Sequence, residues 1–383
     1  MLAEAQIAGA DHLEIGGVSD ADPFGQDALK RLLIWLTDAG GSDAVVKTGD
    51  APLVKVSGEW WRVGERPILA EHLGDLLNTI HTKSSVATLQ GGVPLNFRYI
   101  VRVRRGVRYG FRTEVVAGAS ARADMGIKLR FRAIPEQPPT FDELAFEDDI
   151  REYGMPPFGL ILISGPTGSG KSTSLASIIR HRLEHARENI QTFEDPIEFD
   201  FEAVKKKLGL VFQTAIGLNL TSFAQAVAEV LRMAPDVILI GEARDRATIE
   251  GLVRAAITGH AVYSTTHTNS VAMTIPRMAD EFPEDSRWAM TVNLIDAMRL
   301  CVHQRLVRRP EGGQIALREY LVFDDDVRRQ LYEAGPDHYI AETRRLVETR
   351  GQPLMQDAES KYQQGHIEER DYLRLKASLG SEH

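Results

Sequence analysis

Residues 165–173 read GPTGSGKST, directly behind the apolar run Leu160, Ile161, Leu162 and Ile163. A buried strand, a glycine turn and a helix over residues 172–179 form the context that a phosphate-binding loop needs. Gly165, Thr167, Gly168, Ser169 and Gly170 form a turn whose backbone N–H groups can converge on a phosphate, in front of a helix N-terminus. Lys171 brings a point charge to the β- and γ-oxygens, the Ser172 hydroxyl offers a ligand to Mg²⁺, and Thr173 completes the motif. The pattern predicts binding of a nucleoside triphosphate with Mg²⁺; the alternative is a chance glycine turn.

Three later segments bear on the reaction. In QTFEDPIE, residues 191–198, a strand runs into carboxylates led by Glu194. Ligands sit at the carboxyl edge of a parallel sheet, where such groups can orient the waters of Mg²⁺ or polarise an attacking water. A proline-broken turn with solvated acids is the other reading. In PDVILIGEARD, residues 235–245, four apolar residues predict a buried strand, and Glu242 emerges just past its end. It is placed to accept a proton from, or orient, a water attacking a γ-phosphate. Gly241 stands where many phosphate-loop enzymes carry an aspartate, which leaves Mg²⁺ to Ser172 and to waters on the Glu194 cluster. In GHAVYSTTHT, residues 259–268, a short strand has a histidine at each end. His267, at the carboxyl end, is placed to sense the γ-phosphate, whereas His260 suits a structural or interface hydrogen bond. The two lack a nearby third ligand, so zinc is not expected.

An arginine-rich hairpin precedes these segments. By strand alternation Arg98, Arg102 and Arg104 share a face, as do Arg108 and Arg112 on the return strand, with a turn at Arg105 and Gly106. Arg130 and Arg132 fall on a further strand. The row is either the polar side of a sheet, a source of arginine for a bound triphosphate from the same or a neighbouring chain, or a nucleic-acid surface. For the last of these no aromatic stacking platform is evident.

The elements that must position these groups divide the chain. Residues 1–26 are small, acidic and glycine-rich and predict a loose arm. Residues 27–134 predict a small α+β domain on an antiparallel sheet, with helices over 27–38 and 71–81. Prolines bracket an acidic stretch in 135–157, taken as a linker. From 158 to 324 short apolar strands alternate with helices, the mark of a parallel sheet. One such helix spans 246–258, with Ile249, Leu252, Val253, Ala256 and Ile257 at helical spacing and Gly259 as its cap. Residues 325–383 predict charged, amphipathic helices.

A length of 383 residues suits two domains, and the net charge of −9 argues against wholesale coating of nucleic acid. No apolar run is long enough to span a bilayer, and the amino terminus lacks a basic head and cleavage site, so a cytoplasmic protein is expected. The lone cysteine, Cys301, lies in an apolar segment and reads as a buried, inert thiol.

Taken in order, GPTGSGKST, TFEDPIEF, DVILIGEARD and TGHAVYSTTHT closely resemble the secretion (traffic) ATPases, which include pilus retraction motors and type IV secretion ATPases. RGVRYGFR at 105–112 and IALREYLVFD at 315–324 look most like the DotB/TraJ class of Dot/Icm and plasmid conjugation systems. The resemblance implies an α/β fold, with a RecA-like domain whose parallel sheet is flanked by helices behind a smaller α+β (PAS-like) domain. It also implies a homohexamer that hydrolyses ATP with Mg²⁺ and works with inner-membrane secretion or conjugation components, with peripheral membrane contact left open. Lys171 and Ser172 carry over as phosphate and Mg²⁺ ligands, Glu194 as the acidic box, Glu242 as the catalytic glutamate and His267 as the histidine box. Arg112, in GFR, and Arg132, in FRAIP, match the nucleotide-reaching arginines. Gly241 is shared by the family, while Asn269 departs from the threonine common among relatives. A pilus retraction motor, a nucleic-acid translocase and a nucleotide-gated scaffold are the rival functions.

Overall fold

The computed structural model describes residues 6–7, 12–15, 18, 23–104, 107–120, 123–135 and 137–380. Most of the expected arm, and the turn at Arg105 and Gly106, lie outside the described residues. The chain divides into two compact units: residues up to Gln137 together with Pro196–Asp200, and Pro138–Asp195 together with the chain from Phe201 onward.

The first unit contains β1 (Gln6–Ile7), β2 (His12–Glu14), α1 (Gln26–Asp38), β3 (Asp43–Lys47), β4 (Leu53–Val56) and β5 (Glu59–Val63). It continues with α2 (Ala70–Ile80), α3 (Ser85–Gln90), β6 (Leu95–Arg104), β7 (Val107–Ser120) and β8 (Ala123–Ile134). Among the described residues these strands form one sheet in the order β1-β2-β5-β4-β3-β8-β7-β6, antiparallel except where β2 meets β5. The expected helices are present as α1 and α2. Leu29, Leu32, Leu33 and Leu36 of α1, with Leu73, Leu76 and Leu77 of α2, pack with Phe111 and Phe131 of the sheet in one core. Alternation along β6 buries Phe97, Tyr99 and Val101 and turns the intervening arginines to the other face. Register then lines Arg98 up with Arg112, Arg112 with Arg132, and Arg132 with Asp43, one row across four strands.

The second unit begins with α4 (Asp148–Tyr153), β9 (Gly159–Ser164), α5 (Lys171–His185), β10 (Asn189–Glu194), β11 (Leu210–Ala215), α6 (Phe223–Val230), β12 (Val237–Ile240) and α7 (Arg246–Ile257). It ends with β13 (Ala261–Thr266), α8 (Thr274–Ala279), α9 (Glu284–Ala297), β14 (Met298–Arg308), β15 (Gln314–Val322), α10 (Asp325–Arg350), α11 (Leu354–Gln363) and α12 (Glu369–Gly380). The sheet order is β11-β10-β12-β13-β9-β14-β15. Strands β9, β12 and β13 are buried at every position, as a parallel sheet covered on both faces requires. The expected parallel sheet is there, with one addition. β15 runs antiparallel to β14 and closes the edge with a hairpin. Helix α7 occupies the predicted span and is capped by Asp245, whose Oδ1 accepts from the Thr248 amide at 2.9 Å. Ile257, the last residue of its predicted apolar stripe, is exposed instead, because the helix ends there.

Of the segment expected to link the two parts, residues 138–157 fall within the second unit. Phe141, Phe146 and Ile150 are buried. Arg318 pairs with Glu147 at 3.0 Å, Lys361 reaches the same carboxylate at 3.0 Å, and Tyr320 donates to Asp149 at 2.7 Å. Cys301 is buried, and burial pushes its thiol up to about 12. No helix among the described residues is long and apolar enough to cross a membrane.

Candidate nucleotide site

Parallel pairing brings the predicted groups of the second unit to one edge of its sheet. Ser164, the last residue of β9, is the register partner of Thr266, the last of β13. Ile240 of β12 pairs with Ser264 on one side and Phe193 on the other. The loop 165–170, His267, Glu242 and Glu194 therefore all emerge at the carboxyl ends of adjacent strands, where ligands of such sheets bind.

The loop has the conformation that its glycines predict. Gly168 and Gly170 hold φ of +79° and +81°, which side-chain-bearing residues rarely adopt. A Cβ on Gly165 would stand 2.3 Å from the Gln304 carbonyl oxygen, so only glycine fits this approach. Around Gly168 nothing would meet a Cβ within 4 Å, leaving the loop backbone open on that side. Gly170 is the N-cap of α5 and offers no side-chain cap, so the first-turn N–H groups stay available to an anion. Lys171 is buried and donates from Nζ to the carbonyls of Gly165 and Pro166 at 2.9 and 3.1 Å. Ser172 is exposed in the first turn of α5, while the Ser169 hydroxyl is buried without a hydrogen-bond partner. This donor set, an open nest with a fixed ammonium and a free hydroxyl at a helix start, fits a triphosphate with its Mg²⁺.

Glu242 leaves β12 beside β13 and is largely buried. Its Oε1 lies 3.4 Å from His267 Nε2, and its Oε2 is 2.8 Å from Arg244 Nη2. The Glu242 hydrogen bond, followed by the fields of Glu242 and Asp195, raises the Arg244 pKa. Two backbone ties set the geometry: Gly241 N–H donates to the Phe193 carbonyl at 2.8 Å and Ala243 N–H to that of Thr265 at 2.9 Å. A Cβ on Gly241 would lie 3.3 Å from both the Phe193 carbonyl and the Phe223 ring, so a side chain there would require a neighbour to give by a few tenths of an ångström. Glu194 ends β10 with Oε1 accepting from Thr192 at 2.7 Å and from Gln213 at 3.0 Å. His260, at the amino end of β13, bonds back to the Ala255 carbonyl at 3.1 Å and has the structural place expected of it.

Arg112 and Arg132 belong to the first unit, as register partners on β7 and β8. Arg112 Nη1 contacts Glu198 at 3.3 Å, and Arg132 donates from Nε to Asp43 at 3.1 Å. Nearby, Arg108 and Arg98 clasp Asp200 at 2.6 and 3.2 Å. The short segment Pro196–Asp200, continuous with the end of β10, is thus held by the arginine row.

Three further residues shape the site: Gln304 and His303 escape the sequence motifs, and Glu319 lies inside IALREYLVFD with no role predicted for it. Gln304 and His303, on β14 beside the loop, are fully or almost fully buried. Gln304 contacts Ser169, Ser174 and Arg318. His303 accepts from Arg305 Nε at 3.3 Å and lies 3.3 Å from the Ser164 hydroxyl. Glu319 on β15 accepts from the Val271 amide at 2.6 Å, four residues past His267. The one local signal was three consecutive polar residues, His303, Gln304 and Arg305, inside an otherwise apolar strand.

A family model described as Type II/IV secretion system protein matches residues 143–374. The chain is 32% identical over 311 residues to the type IV pilus retraction ATPase PilT of Pseudomonas aeruginosa, covering 80% of this chain and 85% of that one. The crystal structure of the Legionella pneumophila ATPase DotB superposes with a TM-score of 0.87 at 35% identity, over 93% of this chain and 97% of that one. The pilus retraction motor PilT with bound ADP superposes with a TM-score of 0.79 at 30% identity, over 90% and 96%. The α/β architecture, a RecA-like unit behind a smaller α+β unit, is that of these relatives, as the four motifs predict. With its family model covering most of the second unit and its likeness to solved members spanning nearly the whole chain, this protein belongs to the Type II/IV secretion system protein family of secretion and pilus ATPases.

Proposed function

We propose that this chain is a Mg²⁺-dependent ATP hydrolase that assembles as a homohexameric ring and powers a type IV secretion or plasmid conjugation machine from the cytoplasmic side of the inner membrane. The observation that carries the reading is the Glu242–His267 pair, 3.4 Å apart, at the sheet edge where the phosphate loop also emerges.

In this reading Lys171 and the backbone N–H groups of the loop hold the β- and γ-phosphates. Glu242 accepts a proton from the attacking water or orients it, and His267, sharing that carboxylate, senses whether the γ-phosphate is present. Ser172 would hold Mg²⁺, with waters oriented by Glu194; the ion supplies charge neutralisation at the phosphate oxygens. Arg112 and Arg132, from the same chain or a neighbour, stabilise charge on the triphosphate through charge-assisted bonds. Hydrolysis and phosphate loss release those bonds, and staggered release around a ring becomes domain rotation.

The DotB likeness supports a secretion or conjugation machine, and the PilT likeness supports pilus retraction as the second reading. Deletion in the host separates them: loss of secretion or DNA transfer with pilus-driven movement intact favours the first, and the reverse pattern favours the second. The hydrolase itself is tested by ATP turnover over a protein concentration series beside Glu242→Gln, with mass from light scattering. Turnover that rises as hexamers form and vanishes in the variant is expected; turnover that survives in the variant overturns the role of Glu242.

A further inference from the structure

The end of β14 and the start of α12 border a cavity of about 780 Å³ in the second unit. Its charged lining is Arg308, Arg309, Arg370 and Arg374, with Glu368 and Asp371. Four guanidinium groups against two carboxylates give this spot a positive balance in a chain of net charge −9. Among the described residues no ion pair joins Glu368 or Asp371 to these arginines. Among the described residues Arg309 alone of the four is ion-paired, with Glu311 at 3.4 Å, and its Nε is buried with no hydrogen-bond partner.

The wall is built rather than incidental. Leu375 is buried and packs in a cluster with Ile315, Leu317, Leu354 and Ile367, which fixes α12 against α11, itself packed on β15. Arg370 and Arg374 are one turn apart on that anchored helix and so lie on the same side of it. Gathering like charges around one concavity is unfavourable unless an anion neutralises them. Guanidinium forks are the groups best shaped for phosphate oxygens. The volume exceeds the need of a bare phosphate and lies in the range of sites for small organic ligands, and Leu306 and Leu375 add apolar lining.

We propose that this cavity is a second anion site, separate from the phosphate loop, that takes a phosphate ester: the phosphate of a soluble metabolite or the headgroup of an anionic phospholipid. It does not depend on the hydrolytic reading above.

The experiment uses the full chain carrying Lys171→Ala, to weaken the phosphate loop, with and without Arg370→Gln and Arg374→Gln together. The probes are pyrophosphate in calorimetric titration and phosphatidylglycerol vesicles in co-sedimentation, with phosphatidylcholine vesicles as the control. Both arginines are exposed, so the glutamine variants should keep the parent's circular dichroism and melting curve. Binding that persists in Lys171→Ala and weakens about tenfold or more with the two glutamines supports the site. Pyrophosphate alone then assigns a soluble ligand, and vesicles alone assign a headgroup. No binding of either probe in Lys171→Ala, or binding that the glutamine changes leave untouched, overturns it.

Discussion

Gln304 donates from Nε2 to the main-chain carbonyl of Ser169 across 2.6 Å, tying β14 to the phosphate loop. The same amide's Oε1 accepts from Ser174 of α5 at 2.8 Å and from Arg318 of β15 at 3.0 Å. One buried side chain thus holds the loop, the helix behind it and the antiparallel edge. Gln304→Leu keeps the volume but leaves these groups unpaired, at about 1–3 kcal/mol for each group that water cannot reach. Binding of a fluorescent ADP analogue should weaken about tenfold or more, with a lower melting temperature. Unchanged affinity in a destabilised variant would restrict Gln304 to a packing role.

His303, next along β14, predicts a pH dependence. Burial foremost, then Arg305 and Lys171, pulls its pKa from 6.5 down to about 4. Between those values the unfolded chain binds a proton that the folded chain refuses. Stability is therefore complete above the upper value and falls as pH drops through the window, by about 3 kcal/mol at its lower end. Urea unfolding from pH 7 to pH 4 measures this directly. His303→Gln removes the titrating group, and its stability should decline less steeply over the same range; parallel profiles would refute the assignment.

These two residues also mark where sequence reading stops. Gly165 to Thr173 were legible because their spacing dictates backbone shape locally, Glu242 because it follows the apolar run Val237 to Ile240, and His267 because it follows the short strand Ala261 to Thr266. The shared face of Arg108 and Arg112 was legible for a local reason, since period two sets the face of a strand. His303 and Gln304 gain their meaning from pairing across the sheet, with His303 in register with Ser164, more than a hundred residues away in sequence. No local pattern encodes that register. The same holds for Arg318, which joins β15 to Glu147, and for the antiparallel course of β15 itself.

Glu319 offers a test of how the histidine-bearing segment is held. Its carboxylate accepts a hydrogen bond from the Val271 amide at 2.6 Å and another from the backbone N–H of Leu354, the first residue of α11. Burial raises its pKa in spite of those two bonds. Glu319→Ala strands two N–H donors and should loosen the segment that carries His267. Turnover should fall about tenfold while the KM for ATP changes little, since the phosphate loop keeps its own supports. Glu319→Gln retains an acceptor and should recover part of the loss. Equal damage to KM and turnover would argue for general unfolding instead.

On the function proposed above, Arg112 is a nucleotide-directed arginine and Arg130 a structural one on the same sheet, and the two can be told apart. Arg130 is bound to Asp43 at 2.8 Å and pairs with Glu114 at 3.5 Å, an internal network that leaves it little freedom. Arg112 contacts Glu114 at 3.4 Å and Glu198 at 3.3 Å, both partly exposed carboxylates and both long contacts that a triphosphate can outcompete. Arg112→Ala should therefore spare nucleotide affinity and cut turnover by about 10³-fold or more, the scale of an arginine that meets transition-state charge. Arg130→Ala should lower the melting temperature and leave turnover per folded molecule near the parent's. Steady-state hydrolysis beside ADP-analogue titration and thermal melts distinguishes the two. If Arg112→Ala loses affinity and turnover together, its guanidinium serves ground-state binding, and the clamp-and-release scheme has to rest on Arg132.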